Sequence, residues 1–278
     1  MKETEVKKNV REHYGSVARQ EQNCCGNKSS SPCCDGTQDV RKASRNIGYS
    51  EAEMDSAPDG ANLGLGCGNP IALASLKEGE TVLDLGSGVG FDCFLAANKV
   101  GERGRIIGVD MTPEMLEKAR ENALQGGYSN VEFRLGEIEN LPVADGTADV
   151  IISNCVINLA PDKNRVFREA YRALKRGGRI MVSDIVLSQE LPESIKNSIE
   201  AYVGCIAGAS LENDYLAAIE SAGFKDIKIS GEAVFDIKDI ISSPEGQEIV
   251  ESLDITTEGA IELGSTIKSI KVSAKKEG

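Results

Sequence analysis

Between residues 81 and 183 the chain repeats one pattern: a short apolar run closed by a small or polar residue, then a helical stretch. Thr81-Val-Leu-Asp-Leu85 stops at Gly86, and Arg105-Ile-Ile-Gly-Val109 stops at Asp110. Val131-Glu-Phe-Arg-Leu135 stops at Gly136, Ala148-Asp-Val-Ile-Ile-Ser153 at Asn154, and Arg179-Ile-Met-Val-Ser183 follows Gly177-Gly178. Runs of this length, rich in Val and Ile, read as strands. Residues 90–100, 113–124 and 163–175 carry helical patterns between them. Pro113 suits a first helical turn, Gly126-Gly127 a stop, and Asp162 a cap. Alternating strands and helices predict βαβ units with right-handed crossovers and helices on both faces. Phe224–Ser230 and Ile267–Ser273 alternate and are expected as two further strands, antiparallel to each other. The expected fold is a doubly wound, mostly parallel, seven-stranded α/β sheet.

Around this core the chain divides into three expected regions. Residues 1–45 form a polar extension holding Cys24, Cys25, Cys33 and Cys34, with a helix over 1–20 and a loop over 21–40. Residues 46–190 form the ligand-binding core, entered through the glycine-rich run Gly60–Pro70 and a short helix at 71–76. Residues 191–278 hold a helical insert with Cys205 at 190–210, a helix at 212–222, the last strands, and an acidic helical stretch at 236–262.

Composition narrows the chemistry. The chain has 31 Lys and Arg against 44 Asp and Glu, a net charge of −13, which disfavours nucleic acid as a partner. There is one histidine, His13, in a very polar stretch, so paired-histidine metal sites and triads built on a buried histidine are excluded. The eight cysteines therefore draw attention. The first residues lack the apolar core of a secretory signal, and no run approaches the roughly 18 apolar residues of a membrane span. A cytosolic monomer without membrane contact is expected, where thiols stay reduced and serve packing, metal binding or redox chemistry.

The strongest local motif is Val82-Leu-Asp-Leu-Gly86-Ser-Gly88-Val-Gly90-Phe-Asp92, between a strand and a helix. Its G-x-G-x-G spacing differs from the dinucleotide fingerprint, and Asp84 and Asp92 would repel a pyrophosphate. They would attract an ammonium or sulfonium. Asp110 ends the next strand, where a carboxylate can bind ribose hydroxyls. The combination resembles the S-adenosylmethionine (SAM) site of class I methyltransferases. It implies cofactor contacts from Asp84, Gly86, Ser87, Gly88, Gly90 and Asp110. Met111 would cover the adenine, Glu137 and Ile138 would follow the third strand beside it, and Asn154 would close the fourth.

A narrower resemblance is carried by Gly64-x-Gly-Cys-Gly68, Leu83–Cys93, Gly108-Val-Asp-Met-Thr112, Val150-Ile-Ile-Ser-Asn-Cys-Val-Ile-Asn-Leu159 and Glu169-Ala-Tyr-Arg172. These strings look like arsenite methyltransferases over roughly residues 45–225. The resemblance implies SAM as methyl donor and no metal cofactor. It implies arsenite, or an arsenic–thiol conjugate, as the acceptor to be detoxified. Cys67, Cys155 and Cys205 would be its three thiolate ligands, and an external thiol or thioredoxin would reset them. It also implies transient pairing of an N-terminal cysteine, Cys33 or Cys34, with Cys67. Soft trivalent arsenic prefers thiolates, and its lone pair would attack the methyl without a general base. Cys93 reads as core. The alternative enzyme is a methyltransferase of a small organic acceptor with structural cysteines. The alternative binding protein sequesters the metalloid without chemistry.

Overall fold

The computed structural model describes residues 2–20, 36–196, 198–234 and 256–278. Strands β1 (Thr81–Leu85), β2 (Arg105–Asp110), β3 (Val131–Leu135), β4 (Ala148–Asn154), β5 (Leu174–Leu187), β6 (Ser210–Leu211), β7 (Lys225–Val234) and β8 (Ile267–Lys275) form one sheet. The order is β3-β2-β1-β4-β5-β8-β7, with β6 beside β5. Pairings from β3 to β5 are parallel, whereas β8 runs antiparallel to both β5 and β7. The sheet is therefore mixed, with the parallel part where the βαβ units are. β5 is longer than its apolar run suggests. It begins at Leu174, takes in Gly177-Gly178 and passes an irregularity opposite Ala148 and Val150. The preceding helix accordingly ends at Ala173.

The helices are α1 (Glu3–Gln20), α2 (Gly36–Asn46), α3 (Glu51–Ser56), α4 (Pro70–Ala74), α5 (Phe91–Val100), α6 (Pro113–Gly126), α7 (Lys163–Ala173), α8 (Glu193–Lys196), α9 (Ile199–Val203), α10 (Glu212–Ser221) and α11 (Thr257–Ser265). Alternation along the strands builds two cores. Leu83, Leu85, Val109, Ile151 and Ile180 pack one face against Val166 and Phe167 of α7 and Tyr215 and Ile219 of α10. Val82, Ile106, Val150 and Ile152 pack the other against Phe94 and Leu95 of α5 and Leu116 of α6. A third cluster joins Val6 and Val10 of α1 to Cys155, Ile185, Leu191 and Cys205 beyond the strand ends. No helix among the described residues is long and apolar enough to cross a membrane.

Helices α2 and α3 fall where sequence patterning suggests only loop. A signal for α3 exists: Ser50 and Glu53 make a reciprocal capping box. Cys24, Cys25, Cys33 and Cys34 lie outside the described residues, as does most of 236–262.

Candidate active site

β1 sits between β2 and β4, so the chain leaves it in opposite directions and opens a crevice at its carboxyl end. Leu85 is level with Val109 and Ser153, which brings Gly86, Asp110 and Asn154 side by side. Gly86 needs its positive φ of 69° and its missing side chain, because a Cβ there would run into Val156. Gly88, at φ 51°, has open space instead. Gly90 caps α5 under the rings of Phe94 and Phe133 and does not line the cavity. Asp110 braces the loop, accepting from the Gly88 N–H at 2.9 Å and the Thr112 N–H at 2.8 Å.

The cavity has two lobes of about 750 and 550 Å³. Both are lined by Leu65, Gly86, Gly88 and Asn154. The larger is walled by Asp110, Met111, Ile138 and Glu139 and roofed by Lys7, Val10 and Tyr14 of α1. The smaller holds Tyr49, Asp84, Ser87 and Asp92. Asp92 accepts from the Tyr49 hydroxyl at 2.6 Å and from Asn154 Nδ2 at 3.1 Å. Asp84 accepts from Cys93 Sγ at 3.2 Å, which explains that cysteine as a core residue. Burial lifts all three carboxyls above their ordinary range. Asp84 rises furthest, with the Asp92 charge adding to it. Asp92 reaches about 6, restrained by its Tyr49 and Asn154 hydrogen bonds. Asp110 is restrained by the N–H groups it accepts from. Ser87 Oγ is buried without a hydrogen-bond partner. Crowded acids and an orphan hydroxyl suit a ligand carrying positive charge and polar groups.

Glu137 is not among the residues lining the cavity. It pairs instead with Lys7 at 2.9 Å and Arg11 at 3.8 Å, and Glu139 takes the position on the wall. Lys7 also reaches Glu139 at 3.0 Å, so α1 is tied to the segment after β3. Sequence reading missed Lys7, Tyr14, Tyr49 and Glu139. Lys7, Tyr14 and Tyr49 reach the site from far along the chain, and Glu139 gave no signal distinguishing it from Glu137.

The thiols lie beside the same crevice. The Cys67 N–H donates to Asn154 Oδ1 at 3.0 Å, and the Cys155 N–H to the Ser183 carbonyl at 2.8 Å. Gly66 and Gly68 flank Cys67 because Cβ atoms there would collide with the side chains of Asn154 and Ser183. Cys67 and Cys155 are joined in a disulfide, with Cα atoms 5.7 Å apart. The transient partners that the resemblance implies for Cys67, Cys33 or Cys34, lie outside the described residues. Cys205 is a buried free thiol whose Sγ donates to the Cys155 carbonyl at 2.9 Å. Burial pushes this thiol well up, and the Asp184 charge adds to it. Tyr14, whose hydroxyl donates to the Val203 carbonyl at 3.0 Å, connects α1 to the Cys205 loop. Cys155 and Cys205 have φ of 59° and 64°, a left-handed backbone rare outside glycine. Such positions cluster where function holds them.

Residues 76–223 match a family model described as a methyltransferase domain. The chain is 49% identical over 231 residues to an arsenite methyltransferase of Halobacterium salinarum, covering 81% of this chain and 59% of that protein. It is 33% identical over 233 residues to the arsenite methyltransferase of Homo sapiens, with 81% and 59% covered. The chain thus spans about three fifths of these curated relatives. Among solved structures it is similar to CrArsM, an arsenic(III) S-adenosylmethionine methyltransferase from Chlamydomonas reinhardtii. The TM-score there is 0.61 at 33% identity, over 85% of this chain and 73% of that one. On the family model and the likeness to CrArsM, the chain belongs to the methyltransferase-domain family and, within it, to the arsenite methyltransferases.

Proposed function

We propose that this chain methylates trivalent arsenic with SAM and that Cys67, Cys155 and Cys205 hold the arsenic. The observation that carries the reading is the gathering of these three cysteines, remote in sequence, at the edge of the glycine-loop cavity, with Cys155 in its wall.

When bound, SAM supplies an electrophilic sulfonium methyl. The smaller lobe offers Asp84 and Asp92 to its cationic end and Ser87 Oγ as a free hydroxyl. Asp110 reaches the larger lobe, where Met111 and Ile138 give apolar walls for a base and Glu139 a carboxylate.

The Cys67–Cys155 bond must open before three thiolates can bind arsenic. An external thiol or thioredoxin delivers the two electrons and two protons, by exchange through a mixed disulfide. Cys33 or Cys34 relays this exchange to Cys67. Three sulfurs would then complete the arsenic shell and leave its lone pair, which would attack the methyl carbon as the methyl–sulfur bond breaks and S-adenosylhomocysteine leaves. The arsenic, formally oxidised by two electrons, would regain them as two enzyme thiolates close into a disulfide that the external thiol reopens. No proton leaves arsenic, so the reaction needs no general base. Exposed His13, outside both lobes, fits that requirement. Catalysis rests on in-line positioning of arsenic and methyl. The reading makes the protein a cytoplasmic, monomeric detoxification enzyme.

The test incubates the protein with SAM, arsenite and a thiol and follows methylarsenicals and S-adenosylhomocysteine by mass spectrometry. Cys155→Ser and Cys205→Ser are expected to abolish methylation while S-adenosylhomocysteine still binds. Full activity in either variant overturns the thiolate mechanism. Tight arsenite binding without turnover supports sequestration instead.

A further inference from the structure

Asp184 lies on β5, one residue beyond the Ser183 carbonyl that accepts from Cys155, and it is 1% exposed. Its Oδ1 accepts from Asn158 Nδ2 at 2.8 Å and from the Ile185 N–H at 2.9 Å. Its Oδ2 accepts from the Tyr215 hydroxyl at 3.1 Å. These donors fix the carboxylate plane, fill both lone pairs of Oδ1 and leave one free on Oδ2. One carboxylate oxygen and the Sγ atoms of Cys67 and Cys155 all lie within 4.8 Å of one another. Among the described residues no lysine or arginine forms an ion pair with Asp184. Lys163, the nearby cation, donates instead to the Gly208 carbonyl at 2.6 Å. A buried carboxylate without a paired cation, set against two sulfurs, is a donor set without its acceptor.

We propose that, once the Cys67–Cys155 bond is opened, the two thiolates and Asp184 bind a thiophilic divalent cation such as Zn(II) or Cd(II). Opening takes two electrons and two protons from a dithiol, which itself becomes a disulfide. The cation then replaces the two thiol protons, which pass to solvent. Two sulfurs, one carboxylate oxygen and a water make a four-coordinate shell of the kind zinc accepts, with one position exchangeable. Asn158, Tyr215 and the Ile185 N–H serve as the outer partners that orient a ligating carboxylate. The positive charge offsets the thiolates and Asp184 in a buried place. Cys205 is turned to the Cys155 carbonyl and stands outside the converging set. Cation and arsenic therefore share Cys67 and Cys155 and differ in the third ligand, Asp184 for one and Cys205 for the other. Where arsenic methylation is the activity, such a cation inhibits it by competition. This consequence alone rests on the functional reading.

The test uses the full chain with Cys24, Cys25, Cys33 and Cys34 replaced by serine. It is reduced by a phosphine, which becomes its oxide as water supplies the oxygen and the thiol protons. Co(II) is the spectroscopic probe and Zn(II) the competitor. One Co(II) per chain is expected, with sulfur-to-cobalt charge-transfer bands that Zn(II) abolishes. Cys67→Ser and Cys155→Ser remove the bands, and Cys205→Ser keeps them. Asp184→Asn weakens Zn(II) by about tenfold or more while S-adenosylhomocysteine still binds. Absence of the bands, an unchanged affinity in Asp184→Asn, or their loss in Cys205→Ser overturns the proposal. X-ray absorption of the Zn(II) form with Asp184 intact gives a second measurement, independent of that variant's folding. Two sulfurs with oxygen neighbours support the site, and three sulfurs overturn it. Arsenite methylation is scored separately on the chain with all its cysteines intact, so the two readings can fail independently.

Discussion

A methyl group added at Gly66 would stand 2.5 Å from Asn154 Nδ2, and that amide is held by the Cys67 N–H and the Gly68 carbonyl just beyond. Gly66→Ala is expected to cost roughly 1–3 kcal/mol, the range for overpacking a filled site. Scanning calorimetry should show the lower melting temperature, and an unchanged value would mean that the Cys67 loop yields freely. Asp92 gives a pH signature. Burial raises its folded pKa from the ordinary 3.8 to about 6. Between those values the unfolded chain has lost the proton and the folded chain keeps it. Stability from this group therefore falls as pH rises from about 4 to about 6, then levels, with a full span of roughly 3 kcal/mol. Denaturant unfolding should show that slope reduced in Asp92→Asn. Asp84, Asp110 and the loop glycines were legible because loop and strand are local. The glycines beside Cys67 were legible as a motif only. Their physical cause, contact with Asn154 and Ser183, is nonlocal.

Helix α1 was legible as a helix, but not as a roof. Its pattern gives no direction toward the crevice. Packing supplies that direction, through Val6 and Val10 in the third core and Lys7 on Glu137 and Glu139. Lys7→Ala leaves Glu139, 4% exposed, without its cation. It is expected to weaken S-adenosylhomocysteine binding about tenfold, or 1.4 kcal/mol, by titration calorimetry. Unaltered affinity would show that α1 covers the cavity without shaping it. The strands followed their apolar runs closely, except β5. There a glycine pair expected to stop a helix lies inside the strand, at the irregularity where the register with β4 skips from Leu174 to Arg179, and exchanges backbone hydrogen bonds with Lys276 instead.

Over the whole molecule, the Cys67–Cys155 bond spans 88 residues and ties the segment before β1 to the end of β4. Closing a loop of this length restricts the unfolded chain, and removing the bond typically costs about 2–5 kcal/mol. Reduction by a phosphine should lower the melting temperature by several degrees, and Cys67→Ser should lose this sensitivity. An insensitive parent chain would show that the pair is open in solution.

Local information was enough for the sheet. Apolar runs, glycine stops and caps act within a few residues, and βαβ handedness does the rest. The ligand loop is legible for the same reason, since one strand, one turn and one helix start build it. Cysteine chemistry depends on atoms far apart in sequence. The pairing of Cys67 with Cys155, the orientation of Cys205 and the placing of Asp184 among them arise only when β4, β5 and the loop before β1 pack together. Buried electrostatics follows the same division: the acidic residues are visible along the chain, but their desolvation exists only in the folded core.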